Sequence, residues 1–254
     1  MSRLFILLGI SLTASSLWAQ QMPLSSPITG TLAHLSPTDG SPVAVADRIV
    51  LSDYESSLSD LDVHRRTLAL GYEAASSDAE KDSILARAKT LLRTTLLVDI
   101  FPAWYGTKWD FNGYSNHPNQ GTIACGYFVS TTLKHSGVHI NRYRIAQMAA
   151  SQIIEALADR PVWYRSYPCM MEWIKGRPDD LYVVGLDNHV GFISKQGDEV
   201  RFIHSSFVEP MCAMNESADE SWVLQSSGVY AVGSLFGKGE FVRKWLLNTW
   251  IGPS

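Results

Sequence analysis

The stretch from residue 180 to residue 206 decides the fold, and it reads DLYVVGLDNHVGFISKQGDEVRFIHSS. Short runs rich in β-branched and aromatic residues alternate in it with turn formers, which is typical of β-strands. These runs cover residues 181–186, 189–193 and 200–204, and residues 229–232 form a further run. Residues 196–198, Gln-Gly-Asp, predict a hairpin tip between the second run and the third.

Helical patterns dominate the chain before this stretch. Apolar residues at helical spacing predict helices over residues 77–100, 123–133 and 143–157. Ser77 and Glu80 form a capping-box pattern at the start of the first helix, which we expect to stop before Pro102. Helices first and strands later predict an α+β domain, with N-terminal helices packed on a central antiparallel sheet.

The first 19 residues have the features of an export signal. Arg3 is followed by an apolar run from Leu4 to Leu12 and then by small residues before the expected cleavage site. The run is shorter than the roughly 20 residues that span a bilayer, so we expect no stable membrane insertion after cleavage. The alternative is a buried N-terminal helix. No cysteine lies near the expected cleavage site to serve as a lipid attachment point. These features predict a periplasmic or secreted protein.

The remaining chain divides into a leader over residues 20–75 and a folded domain over 76–254. The leader is rich in Ser, Pro, Thr and Gly over residues 20–43 and has a predicted short helix near residues 54–70. Hydrophobic residues make up 46% of the chain and charged residues 18%, which is typical of a globular protein. The formal charge of -4 gives no basic field for nucleic acid. The sequence holds no phosphate-binding glycine loop, Cys-x-x-Cys or His-Glu-x-x-His, and we expect no cofactor. It does not indicate an oligomeric state.

Three cysteines are present, and one of them has a chemically distinctive position. Cys125 begins a predicted helix, whose unpaired N–H groups favour the thiolate and can receive an oxyanion. Gly126 leaves room for an approaching substrate, which gives it a place in the predicted substrate site. Cys169 and Cys212 either pair in an oxidising compartment or are buried as small apolar residues.

His189 begins the second predicted strand run and His204 ends the third, and they are candidates for a base and for a residue that orients it. The alternative is that Cys125 and both histidines are ordinary structural residues. As a set they are also acceptable zinc ligands by type, but they lack metal-ligand spacing, so we expect no metal. His117, His135 and His139 are interpreted as solvated surface residues.

Four segments, in this order along the chain, resemble the NlpC/P60 family of papain-like cell-wall peptidases. Ala124-Cys125-Gly126-Tyr127-Phe128-Val129 resembles the family's Asp-Cys-Ser-Gly-Phe-Val. The three strand segments, residues 180–184, 189–193 and 202–206, resemble its Gly-Asp-Leu-Val-Phe-Phe, His-Val-Gly-Ile-Tyr and Ile-His-Ala-Ser elements. The Tyr105-Gly106 loop stands where the family has Tyr-x-x-Gly-Gly, so the resemblance covers roughly residues 104–207.

This resemblance implies a papain-like fold and a cysteine hydrolase. Cys125 would be the nucleophile, His189 the general base and His204 the orienting residue, acting through a thioester acyl-enzyme. Tyr105 would reach the oxyanion or line a subsite, unless it packs in the core. The implied substrate is an amide bond in peptidoglycan peptides. The alternatives are another acyl substrate, such as a lipid ester or a non-wall amide, and a non-catalytic wall-binding module.

Two departures from the family pattern affect the substrate. Ala124 and Gly126 replace the Asp and Ser that in many members help to bind the free amine of a stem peptide. The stretch between Asn141 and Asp179 is longer than in the family and is rich in aromatic residues. It is either an ordinary hydrophobic insertion or a wall for sugar or peptide binding, and the aromatic residues concerned are Trp163, Tyr164, Tyr167 and Trp173.

Overall fold

The computed structural model of the protein describes residues 43–253, with side chains from residue 53 onward. The predicted export signal and the first part of the predicted leader lie outside these residues. Nine α-helices are described in this range: α1 Val43–Ala74, α2 Asp78–Thr95, α3 Phe101–Trp104, α4 Cys125–His135, α5 Arg142–Ala146, α6 Ala150–Leu157, α7 Tyr167–Lys175, α8 Trp222–Gln225 and α9 Glu240–Leu246. Among them, none is long and apolar enough to cross a membrane.

Six strands form one antiparallel sheet in the order β1-β6-β2-β3-β4-β5. They are β1 Asp159–Tyr164, β2 Asp180–Gly185, β3 Val190–Gln196, β4 Glu199–Ser205, β5 Ala213–Ser217 and β6 Tyr230–Ser234. Four of them match the predicted runs, and the β3–β4 hairpin turns at Gly197 with a φ of 57°. The α+β prediction with an antiparallel sheet is therefore confirmed, while β1 and β5 were missed.

The sheet is covered on both faces, and strand β2 is buried along its whole length. Its residues alternate between two cores, because successive side chains of a strand point to opposite faces. Leu181 and Val183 belong to the first core, with the helices that carry Phe101 and Phe128. Tyr182 belongs to the second core, beneath α7 and α8. This double burial explains why the strand reads as a continuous apolar run.

The first predicted helix begins as expected and ends differently. Ser77 caps α2 by accepting a hydrogen bond from the Glu80 N–H at 3.2 Å. The expected stop before Pro102 was wrong, because the helical path continues through a π-helical turn, Leu96–Ile100, into α3. The turn moves the hydrogen-bonding register by one residue. Pro102 then lies in the first turn of α3, where its missing N–H is not required.

The N-terminal helix is longer than the sequence indicated. Helix α1 runs over 32 residues rather than near residues 54–70. Its residues Tyr54 and Leu61 are buried in the first core, and residues 41–254 form one unit. The boundary expected after residue 75 therefore falls inside the packed unit. The helix predicted over 143–157 is divided into α5 and α6.

His135 is part of a buried polar cluster and is not the solvated surface residue that the sequence indicated. The Trp104 indole N–H donates to the Tyr54 hydroxyl at 3.0 Å, and that hydroxyl lies 2.8 Å from His135 Nδ1. The Tyr54 O–H is thus available to donate to the imidazole. Burial, followed by the charge of Arg142, lowers the pKa of His135 to about 4. The ring is therefore neutral, and it ties α1 to α3 and α4.

Replacing Tyr54 with Phe tests whether α1 belongs to the same cooperative unit. The substitution leaves the Trp104 indole and His135 Nδ1 without their shared partner. We expect a loss of about 1–3 kcal/mol in the free energy of unfolding, measured by urea denaturation. Tyr72→Phe is the matched control, because Tyr72 lies on the same helix at a partly exposed position. Equal stabilities of the two variants would contradict this account.

Candidate active site

Cys125 is the first residue of α4, with Ala124 in extended conformation at the N-cap. Two contacts fix the chain just before it. The Ala124 N–H donates to the Gly113 carbonyl at 2.9 Å, and the Ser205 hydroxyl donates to the Ile123 carbonyl at 2.7 Å. Ser205 ends β4, so the strand that carries His204 also fixes the position of the helix start.

The cysteine sulfur is largely buried, and burial dominates its ionisation. Desolvation raises the pKa of the Cys125 thiol, although the backbone N–H groups of Val190, Gly126 and Cys125 itself hydrogen-bond to the sulfur and act in the opposite direction. The expectation of a thiolate near neutral pH, drawn from the helix start alone, was therefore wrong in its net direction. The helix N–H groups are present, but they do not outweigh the loss of water.

His189 immediately precedes β3 and is 1% exposed. The Val190 N–H that contacts the sulfur belongs to the next residue, and Cys125 and His189 line the same cavity. His189 Nε2 lies 2.8 Å from His204 Nδ1, and the ring packs edge-on against Phe207 with centroids 5.3 Å apart. Burial, with His204 as a second cause, lowers the pKa of His189 well below its usual range. The thiol and the imidazole are thus both neutral at rest.

A fourth residue, Glu216, extends the chain of hydrogen bonds. Its carboxylate lies 3.0 Å from His204 Nε2. Glu216 is on β5, on the same sheet face as His204, because His204 pairs with Met214 two residues earlier. Burial raises the pKa of Glu216, but hydrogen bonds from His204 and Ser221 outweigh it and the net shift is downward. The carboxylate is therefore ionised and can only accept hydrogen bonds.

The ionised carboxylate sets the tautomer of each ring in turn. His204 must carry its proton on Nε2, where it donates to Glu216. Burial lowers the pKa of His204 despite Glu216, so the ring is neutral and its Nδ1 is an acceptor. His189 then donates from Nε2, and its Nδ1 keeps a lone pair. That lone pair is what a general base beside Cys125 requires.

Gly191 and Phe202 hold the two histidines in place. The Phe202 ring stacks on the His204 ring with centroids 4.0 Å apart. A Cβ on Gly191 would lie 2.7 Å from the Phe202 ring and 2.9 Å from His204 Cβ. The glycine of the His-Val-Gly segment is thus required by the packing of the histidine pair.

Cys125 and His189 both line one cavity of about 610 Å³. The cavity lies between the loop before α4, the first turn of α4, the α5–α6 connection and the start of β3. Among the described residues, no Asp, Glu, Lys or Arg lines it. Its other large lining side chains are Trp109, Phe111, Tyr127, Met148 and Phe207.

The structure brings Cys125, His189 and His204 together, but it separates Tyr105 from them. Tyr105 lines a second cavity of about 450 Å³, with Arg201 and Asn215. Burial raises the pKa of Tyr105 to about 12, against a hydrogen bond from Asn215. The expected role at the oxyanion is therefore not supported by its placement. Trp109, from the same loop, reaches the cavity instead.

Gly126 does line the Cys125 cavity, but its missing side chain has another cause. A Cβ at this position would lie 2.5 Å from the Ala146 carbonyl oxygen. The close approach of α5 to α4 requires the glycine, rather than the passage of a substrate. The N–H of Gly126 remains beside the sulfur.

The other sequence candidates lie away from this cavity. Cys169 and Cys212 are not joined, and Cys169 is exposed on α7, so neither expected state of this pair is found. Three aromatic residues of the long insertion pack on the second core, which fits an ordinary hydrophobic insertion; they are Tyr164, Tyr167 and Trp173. In the part of the chain that the structure describes, no group of three or more His, Cys, Asp and Glu could hold a metal ion.

Comparison with known proteins gives no match to a family model, a curated protein or a solved structure. The resemblance to the NlpC/P60 family therefore rests on the four sequence segments. The function has to be argued from the geometry of the site.

Because the Cys125 thiol and the His189 imidazole are both neutral at rest, we predict that alkylation of Cys125 requires a higher pH than alkylation of an ordinary thiol. Because its thiol pKa is raised, the thiolate fraction at pH 7 is below that of an ordinary thiol with a pKa of about 8.5. We expect iodoacetamide labelling, followed by peptide mapping from pH 5 to 10, to be slower at Cys125 than at exposed Cys169 in the same molecule. Faster labelling of Cys125 than of Cys169 below pH 7 would mean a preformed ion pair and contradict this account.

The tautomer chain makes a spectroscopic prediction for Glu216. Glu216→Gln keeps an acceptor oxygen for His204 and should preserve the Nε2–H tautomer of both rings. Glu216→Leu removes the acceptor and should shift the ring ¹⁵N resonances of His204 and His189 in NMR spectra. The exposed Glu220→Leu is the control. Unchanged ring resonances in Glu216→Leu would show that the carboxylate does not set the tautomers.

Proposed function

We propose that the protein is a cysteine hydrolase that cleaves an acyl bond, with Cys125 as nucleophile and His189 as general base. The observation that carries the proposal is the chain of hydrogen bonds from Glu216 through His204 to His189, of 3.0 and 2.8 Å, which ends at a residue that lines one cavity with Cys125, the first residue of a helix. A purely structural cysteine has no need of a base with a fixed tautomer beside it. The proposal includes a papain-like fold, in which the nucleophile helix packs on the antiparallel sheet that carries the histidines.

The first half of the reaction forms a thioester. Cys125 Sγ attacks the substrate carbonyl carbon as its proton passes to His189 Nδ1, and the carbonyl oxygen becomes an oxyanion. The N–H groups of the first turn of α4 have no intrahelical acceptor and carry partial positive charge, which stabilises that oxyanion. Glu216, acting through His204, stabilises the imidazolium that forms.

The second half releases the acyl group. The amine or alcohol leaves as it takes the proton from His189, and a thioester remains on Cys125. Water then attacks the thioester while His189 accepts a proton from it. Return of that proton to the sulfur regenerates the thiol and frees a carboxylic acid. No other group is needed to balance these steps.

The resemblance and the expected export signal favour an amide bond in peptidoglycan peptides as the substrate. One observation favours the second candidate, another acyl substrate such as a lipid ester or a non-wall amide. Ala124 lines the cavity beside Cys125, where the resembling family has an aspartate that helps to bind a free amine. The alternative of a non-catalytic wall-binding module gives no role to the hydrogen-bonded histidines.

Acylation of the intact protein by p-nitrophenyl acetate tests the proposal. We expect a burst of p-nitrophenol and an acetyl adduct on Cys125, located by mass spectrometry and removed by hydroxylamine. Cys125→Ala should abolish the burst. His189→Gln should slow it roughly 10²–10⁴-fold, the usual contribution of a general base.

The control for this experiment is Cys169→Ala, which removes the exposed thiol and should leave the burst unchanged. Peptidoglycan fragments and N-acyl compounds would then be compared as turnover substrates. If Cys125 is acylated no faster than Cys169, or equally fast in His189→Gln, the non-catalytic module is the better account.

A further inference from the structure

We propose that the Cys125 cavity accepts an uncharged, apolar acyl group and rejects acyl groups that carry a charge. This inference rests on the proposed function and names its substrate class. Its basis is the composition of the cavity, which has aromatic and aliphatic walls, a few neutral polar groups and no charged lining residue among those described.

The walls are suited to apolar contact. The large apolar or aromatic lining residues are Trp109, Phe111, Phe207, Tyr127 and Met148. Phe111 is 80% exposed, although it is a large apolar residue. Exposed aromatic surface at the edge of a cavity is typical of a binding site, because a bound apolar group can cover it. A volume of about 610 Å³ is within the usual range for a small-molecule site.

The carboxylates next to the lining residues in sequence are occupied elsewhere. Asp187 precedes Asn188, but its carboxylate accepts from the Gly228 N–H at 2.7 Å and from the Ser227 hydroxyl at 3.2 Å. Asp110 lies between two aromatic lining residues, and its carboxylate accepts from the Asn112 N–H at 2.8 Å. Neither group lines the cavity, so a cationic acyl group finds no partner there.

The buried cation behind the Tyr127 wall is also engaged. Arg142 is 3% exposed and lies behind Tyr127 and Tyr143, with its guanidinium carbon 5.5 and 4.5 Å from their ring centroids. Its nitrogens donate to two carbonyls and two hydroxyls, which belong to Ser115, Tyr114, Thr131 and Tyr143. The guanidinium thus holds the wall together and is not available to an anionic acyl group.

Charge in the acyl group therefore carries a penalty of either sign. A charged group that leaves water for this cavity loses its hydration without gaining a partner. An apolar chain of the same length gains by covering the aromatic walls. The remaining polar lining groups are Gln147 and Asn188, and they can hydrogen-bond a carbonyl or an amide without favouring a charge.

A matched series of p-nitrophenyl esters tests the inference on the full chain. Hexanoyl, adipoyl and 6-aminohexanoyl esters have similar acyl lengths and the same leaving group, and they differ in a neutral, anionic or cationic end. The rate of Cys125 acylation is measured for each by mass spectrometry. Acylation of exposed Cys169 in the same molecule reports the intrinsic reactivity of each ester. After this correction, we expect hexanoate to acylate Cys125 at least about tenfold faster than either charged ester.

The variant Ala124→Asp places a carboxylate in the cavity wall. We expect it to raise the rate with 6-aminohexanoyl relative to hexanoyl, and to lower the rate with adipoyl further. Asn116→Asp is the matched control, because it adds the same charge at an exposed position outside the lining. If the substitution prevents folding, the three esters measured on the unmodified protein still test the inference.

The outcomes separate the two proposals. Equal corrected rates for the three esters, or a preference for a charged ester, would overturn the neutral acyl group and leave the hydrolase intact. Absence of any Cys125 acylation above the Cys169 level would overturn the hydrolase and this inference with it.

Discussion

The hydrogen bond of 2.8 Å between His189 and His204 is the interaction through which the Glu216 carboxylate sets the tautomer of His189. Both rings are buried, so water cannot replace either partner. Once Glu216 fixes the proton of His204, the tautomer of His189 follows, and with it the free lone pair on His189 Nδ1. In the proposed reaction, the chemistry of Cys125 thus depends on a carboxylate three side chains away, through a relay in which both rings are neutral before the substrate reacts.

Strand β4 positions both halves of the site through two consecutive residues. His204 points to the face of the second core and holds His189, while Ser205 points to the other face and holds the Ile123 carbonyl just before Cys125. A slip of one residue in the pairing of β4 would exchange these two faces and separate the proposed base from the proposed nucleophile. The stacking of Phe202 over Gly191 opposes such a slip, because no other residue type fits beneath that ring.

The strands around the histidines and the helix that begins at Cys125 could be predicted from the sequence, because both have strong local patterns. The place of Glu216 in the site could not be predicted. The segment Ala-Met-Asn-Glu-Ser has few β-forming residues, so β5 was missed, and only the register with β4 brings Glu216 to His204. The thiol pKa was misjudged for a related reason. A helix start can be inferred from sequence, but the desolvation that outweighs it depends on how the rest of the chain packs around Cys125.

Burial makes a charged thiolate–imidazolium pair unfavourable in the resting site, so the proposed mechanism has to stabilise these charges as the substrate reacts. Desolvation raises the thiol pKa and lowers both histidine pKa values, so forming an ion pair before substrate arrives is unfavourable. In the proposed reaction, attack on a carbonyl changes this balance, because the negative charge then moves from sulfur to an oxygen next to the N–H groups of α4, and the positive charge forms on a ring already connected to Glu216. Charge separation is thus favourable mainly in the transition state. A substrate that brought its own charge into this cavity would add a second desolvation cost without a partner to offset it, so the ionisation of the site and the neutrality of its walls point to the same kind of acyl group.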